Sequence, residues 1–215
     1  MYTGDVTAAT ASMETIKLLW NVLCSEHAEW MCLDIVDFYL GTPLEEPQWM
    51  WVPIGMCPDA TRARYGLDRL AVNGKVLARV DKGIYGLPQA GRLAREKLVG
   101  HLGTHGYLEA HDTPGLFRHK QRAITFTLVV DDFGVVYHRR DDAVHLVDAL
   151  ERAYQVKTDW EGRKYVGITT TYDRQAHTLT LSMPGYVAKA LRKLGVEPGA
   201  RDVHSADGIY PARVR

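Results

Sequence analysis

Apolar residues recur along this chain in two rhythms, one suited to helices and one to strands. Between residues 12 and 27, Ile16, Leu19, Trp20 and Leu23 fall at i, i+3, i+4 and i+7, and Ser12 stands where an N-cap belongs, so a helix is predicted there. Trp30 to Leu40 is mainly apolar, with aromatic and branched residues, and reads as a strand running into a short turn. Residues 43–75, rich in proline and tryptophan, show neither rhythm and read as irregular. A short strand, Val76 to Val80, leads into the glycine-punctuated turn KGIYGLPQAG. A helix follows from about Pro88 to Leu102, with proline early and Gly103 near its stop.

Farther on, ITFTLVV (124–130) and FGVVYH (133–138) read as two strands joined tightly at Asp131 and Asp132. Asp141 and Asp142 then open a helix that carries Ala143, Leu146, Val147, Leu150 and Tyr154 on one side. KYVGITTTYD and HTLTLSM form a second hairpin, and a last helix runs from Pro184 to a stop at Gly195. The order is helix, strand, helix, two strands, helix, two strands, helix. It lacks the regular alternation of a parallel fold and predicts the α+β class, an antiparallel sheet with helices on one face.

At 215 residues the chain can form one good-sized domain, or a core with an appendage. No apolar run approaches the roughly 20 residues that a membrane span requires. The opening MYTGDVTAAT has no basic n-region and no apolar h-region, which points to an intracellular protein, in cytoplasm or nucleus. Cys24, Cys32 and Cys57 lie in no zinc-ligand spacing and read as buried free thiols. Lys and Arg number 26, as do Asp and Glu, so the formal charge is zero and a generic nucleic-acid coat is disfavoured. Basic residues nevertheless gather locally, as at Arg62, Arg64 and Arg69, at Arg163 and Lys164, and at Lys189, Arg192 and Lys193. A neutral total can hide a basic groove beside an acidic site.

The acidic residues carry the chemistry. Asp131 and Asp132 sit between two apolar strands, with neither glycine nor asparagine to ease a two-residue turn. Adjacent carboxylates repel, and a divalent cation would remove the repulsion. Solvated turn aspartates are the alternative. Asp34 lies inside the apolar WMCLDIVDFYL, where an unpaired carboxylate costs several kcal/mol unless it is paired, neutralised or bound to metal. Asp37 belongs at the exposed strand end. If Asp34 and the hairpin tip occupy neighbouring strands, their hard oxygen ligands suit Mg²⁺ or Mn²⁺ and phosphoryl transfer. No Ser-His-Asp set, Walker-type loop or GxGxxG fingerprint competes.

With these residues in place, the chain resembles the reverse transcriptase of copia-type retrotransposons from about Thr15 to Val196. LDIVDFYLGTPLEE resembles the first catalytic motif, with Asp34 as a metal-binding aspartate. KGIYGLPQAGR resembles the strand-turn-helix lining the nucleotide site. GYLEAHDTPGLFRH followed by ITFTLVVDDFG resembles the approach to the second catalytic motif, with Asp131 and Asp132 as its pair. RKYVGITTTYD resembles the primer-holding segment, and LSMPGYVAKALRKLGV the strand and helix after it. The resemblance implies a palm with partial fingers over residues 1–198 and a short polar tail over 199–215. It implies DNA synthesis on an RNA or DNA template-primer from dNTPs, with Asp34, Asp131 and Asp132 catalytic and holding Mg²⁺ or Mn²⁺. It also implies that Tyr39 faces the sugar and favours deoxynucleotides, that Gln89 lies near the nucleotide's sugar, and that Lys164 and Gly167 hold the primer.

Val129 stands where many relatives carry tyrosine, and Val36 where lysine is common; neither change removes a metal ligand. The basic finger strands that grip the triphosphate lie upstream in the family, and this chain starts too late to include them. No RNase H, integrase or protease segment is recognisable. The alternative expectation is therefore an inactive relic or domesticated fragment that folds and binds nucleic acid without polymerising.

Overall fold

The computed structural model describes residues 6–195; the polar tail expected over 199–215 lies outside the described residues. The chain divides into two compact units. One is built on Asp37–Lys97, and the other on Ala8–Val36 together with the chain from Leu98 onward.

The larger unit is organised by a six-stranded antiparallel sheet. Its strands are β1 (Glu29–Ile35), β4 (Tyr107–Ala110), β5 (Thr113–His119), β6 (Ile124–Val129), β7 (Asp132–Tyr137) and β8 (Val156–Asp159), in the order β4-β5-β6-β7-β1-β8. Helix α1 (Met13–Ser25) begins as expected, with the Ser12 side chain accepting a hydrogen bond from the Thr15 N–H at 3.2 Å. Its Ile16, Leu19, Trp20, Leu23 and Cys24 pack on Trp30, Cys32 and Val136, so α1 covers one face of the sheet. That face is also covered by Tyr165, Ile168 and Leu179 from a three-stranded sheet of β9 (Lys164–Tyr165), β10 (Ile168–Asp173) and β11 (Thr178–Ser182).

Trp20, Trp30 and Tyr165 meet edge to face, with centroids 5.8–6.4 Å apart. Trp30 Nε1 donates to Gly162 O at 3.0 Å and Tyr165 Oη to Thr127 O at 3.0 Å, so the polar ends of both buried rings are satisfied. Gly134 lies beneath them. A Cβ there would come within 2.7 Å of both Trp30 and Tyr165, which explains a glycine in mid-strand.

The helices are not confined to one face, which corrects the expectation from sequence. Met31, Leu33, Phe133 and Val135 alternate with the residues beneath α1 and point to the opposite face, which must also be buried. Helix α5 (Arg140–Glu151) is held on that side. Tyr107, packed on Phe126 at 5.7 Å, has its hydroxyl 2.9 Å from His145 Nδ1, and Arg122 pairs with Asp142 at 2.9 Å. Because β1 and β7 are apolar on both sides, one layer of helices could not shield the sheet. Strands β4, β5 and β8 were also unanticipated.

The Asp37–Lys97 unit contains β2 (Pro43–Pro53) paired with β3 (Lys75–Lys82), a short 3₁₀ turn, and helices α2 (Asp59–Tyr65) and α3 (Leu67–Leu70). Residues 43–75 are thus ordered rather than irregular. Gly66, at φ 60°, turns the chain between α2 and α3. Helix α4 (Ala90–Thr104) leads out of this unit, and α6 (Pro184–Lys193) closes the described chain. The three cysteines are free; Cys24 and Cys32 are buried, but Cys57 is partly exposed. Among the described residues no helix is long and apolar enough to cross a membrane.

Candidate active site

Strand β1 lies between β7 and β8, and its pairing fixes what surrounds Asp34. Asp34 sits opposite Asp132 of β7 on one side and Lys157 of β8 on the other. Directly opposed residues in antiparallel strands share a face, with Cβ atoms about 4.5–5.5 Å apart. The two carboxylates therefore stand side by side, on the face that carries Trp30 and Cys32. The Ile35 N–H donates to Asp131 O at 3.1 Å, tying the end of β1 to the loop that carries the third aspartate.

That loop is shifted by one residue from where the sequence placed it. Asp132 is already the first residue of β7 and pairs with Val129, so the two-residue tip is Val130-Asp131. Only Val130 of the two takes a positive φ, 61°, the pattern of a type II′ turn whose first central position favours glycine. A branched residue there is strained by about 1–3 kcal/mol.

The carboxylates feel one another. Asp132 is pushed up to about 6, first by burial and then by the charges of Asp131 and Asp34, with Lys164 pulling the other way. Asp34 is raised above the usual carboxylate range by burial and by Asp131, and Lys157 opposes the rise. Cys32, two residues before Asp34, has its thiol pushed up by burial and by Asp159 and Asp132, so it stays protonated and inert.

Lys164 lies close enough to lower the Asp132 pKa by its charge. Gly167 lies in the same unit, in the Val166-Gly167 turn between β9 and β10, where both residues have positive φ, 44° and 82°. Lys157 is a site residue the sequence reading missed. Tyr39 and Gln89 belong to the Asp37–Lys97 unit. The Tyr39 ring packs against Tyr85 at 4.9 Å, and Tyr39 O accepts from the Thr42 N–H at 2.9 Å. A Cβ on Gly83 would sit 2.8 Å from that carbonyl, so the KGIYG turn needs its glycine for the backbones to approach. Gln89 is only 3% exposed, and its side-chain amide oxygen is buried with no hydrogen-bond partner among the described residues.

Among the described residues no three acidic, histidine or cysteine side chains are gathered into a finished cage for an ion. The donor set fits a divalent cation nonetheless. Asp34, Asp131 and Asp132 are hard oxygen donors, and burial together with mutual repulsion already raises Asp34 and Asp132, a penalty that a bound cation relieves.

Comparison with known proteins gives the lineage. The family model described as "Reverse transcriptase (RNA-dependent DNA polymerase)" matches residues 1–200. The chain belongs to the reverse transcriptase family. It is similar to the "Retrovirus-related Pol polyprotein from transposon TNT 1-94" of Nicotiana tabacum, with 21% identity over 196 residues. That match covers 90% of this chain and 14% of the relative, so the chain spans about a seventh of that polyprotein's length. Both matches agree with the copia-type resemblance carried by the motifs around the three aspartates.

Proposed function

We propose that this reverse transcriptase family member is the polymerase segment of a copia-type retrotransposon polyprotein and extends a DNA primer on an RNA or DNA template. One observation carries the reading: Asp34 lies directly across from Asp132, with Asp131 one residue away at the hairpin tip. Only a site that uses concentrated negative charge repays placing three carboxylates together on a half-buried sheet end. The six-stranded unit is read as the palm, and the Asp37–Lys97 unit as part of the fingers.

Asp34, Asp131 and Asp132 would hold Mg²⁺ or Mn²⁺. Such ions, when bound, make the primer hydroxyl a better nucleophile and offset charge on the departing pyrophosphate. Lys164 contacts a primer phosphate, and the turn at Gly167 lets the backbone of β9 and β10 approach the strand. The Lys157 ammonium beside Asp34 adds a second positive side chain and limits repulsion within the site. Tyr39 and Gln89 keep the nucleotide roles that the family resemblance gives them. The Tyr39 ring discriminates against a ribose 2′-hydroxyl, and the unpaired Gln89 amide supplies a polar group at the sugar. RNase H and integrase activities are assigned to other segments of the parent polyprotein.

Primer extension on RNA and DNA templates with Mg²⁺ or Mn²⁺ tests the proposal. Extension should fall by at least about 100-fold in the Asp131→Asn, Asp132→Asn double variant. Undiminished extension by that variant would exclude this site. Salt-dependent template-primer binding with no extension by the parent chain would replace polymerisation with a binding role.

A further inference from the structure

We propose that the outer face of the β2–β3 hairpin is a stacking platform for single-stranded nucleic acid. The proposal rests on the polymerase reading for the source of the strand, an unpaired template. The surface itself is defined within the Asp37–Lys97 unit alone.

Pairing of β2 with β3 sets Trp49 opposite Arg79, Trp51 opposite Leu77, and Pro53 opposite Lys75. All six side chains are exposed, although Trp51, Leu77 and Arg79 also border a cavity lined by Tyr65, Leu67 and Leu70. The other face turns Val52, Val76, Ala78 and Val80 inward to varying degrees, so the exposed set is not a sheet lacking its inside. Trp49 and Trp51 are 62% and 52% exposed. Neither indole meets another ring or donates a hydrogen bond among the described residues. An idle pair of tryptophans on one surface marks an interaction site.

The face also carries cations. Residues two apart on a strand are separated by about 6.6 Å and stand on the same side of the sheet, so Trp49 and Trp51 are neighbouring exposed rings. Every nucleobase presents a π-face that can stack on such rings whatever its identity. Arg79, paired at 2.7 Å with Asp81, and Lys75, which has no carboxylate partner among the described residues, lie on the neighbouring strand where they can follow a phosphate backbone. Aromatic residues flanked across the strand by cations match a nucleic-acid strand, whose bases stack on the indoles while its phosphates meet Arg79 and Lys75. A duplex hides its base faces, so an unpaired strand is the occupant.

Fluorescence anisotropy of the full chain with labelled oligo(dT) of about 20 nucleotides, in EDTA and at low salt, tests the platform. Trp49→Ala and Trp51→Ala should each weaken binding about tenfold, with phenylalanine at either position recovering most of it. Arg79→Gln should lower the slope of log affinity against log salt by about 0.7. Both indoles are exposed, so the alanine variants should keep the parental circular dichroism. Extension is scored separately, on primer-template with Mg²⁺, so loss of stacking and failure of the polymerase reading are distinguishable. Alanine variants that bind oligo(dT) with parental affinity overturn the proposal. Self-association of the parent that disappears in those variants while oligo(dT) binding persists would give the face to a second copy of the chain instead.

Discussion

Trp20 and Trp30 in the six-stranded unit are wholly buried, each edge-on to Tyr165, whereas Trp49 and Trp51 on the β2–β3 hairpin stand in solvent. The same side chain therefore serves two ends. In the larger unit the indoles fill space between the sheet, α1 and the small three-stranded sheet, and their burial holds those layers together. On the hairpin they contribute little to folding and are left free for contact. The larger unit carries the carboxylates on paired strands and at the turn between them, and the hairpin offers surface.

Replacing one tryptophan in each region gives the widest contrast. Trp30→Ala should cost about 3–5 kcal/mol in urea unfolding, since it opens a cavity beside Trp20 and Tyr165 and leaves Gly162 O with the Thr170 hydroxyl as its remaining donor. A smaller cost would mean the layers are held by something other than that ring cluster. Tyr165→Phe leaves the rings packed and removes only the hydroxyl that donates to Thr127. It should cost about 1–2 kcal/mol in the same assay.

Asp132 extends the comparison to pH. Its folded pKa of about 6 lies above the unfolded value of about 3.9, so the folded chain holds that proton more tightly. The stabilising contribution is whole below about pH 4, declines as pH rises, and is lost above about pH 6. Allowing for partial exposure, the change should be about 1 kcal/mol. In EDTA the parent should lose stability relative to Asp132→Asn across that interval, and Mg²⁺ should restore it above about pH 6. A stability difference that stays flat with pH would show that neither burial nor the neighbouring carboxylates raise Asp132. The smallest effect belongs to Trp51→Ala, expected within about 0.5 kcal/mol of the parent. A large loss there would mean the hairpin face supports folding after all.

Much of the larger unit was legible in the sequence. The periodicity of Ile16, Leu19, Trp20 and Leu23 set α1, the twin apolar runs around Asp131 set β6 and β7, and Pro184 opened α6. Strand β8 escaped because VKTD is short and polar and is a strand only through its pairing with β1, and Lys157 was missed with it. Strand β2 escaped for the opposite reason. Its tryptophans face outward and prolines punctuate it, so no buried face gave it a period of two. Asp34 was conspicuous because charge interrupted an apolar strand. Its position across from Asp132 was not, because register depends on pairing between residues about a hundred positions apart.

The left-handed Val130 has a consequence for how Asp131 is presented. A branched side chain in that region has few backbone alternatives, so the peptide unit ahead of Asp131 is stiff. Glycine would relax the corner and let the carboxylate wander over many orientations. By keeping valine, the hairpin trades some folding stability for a fixed bearing of that acid, set by the main chain itself.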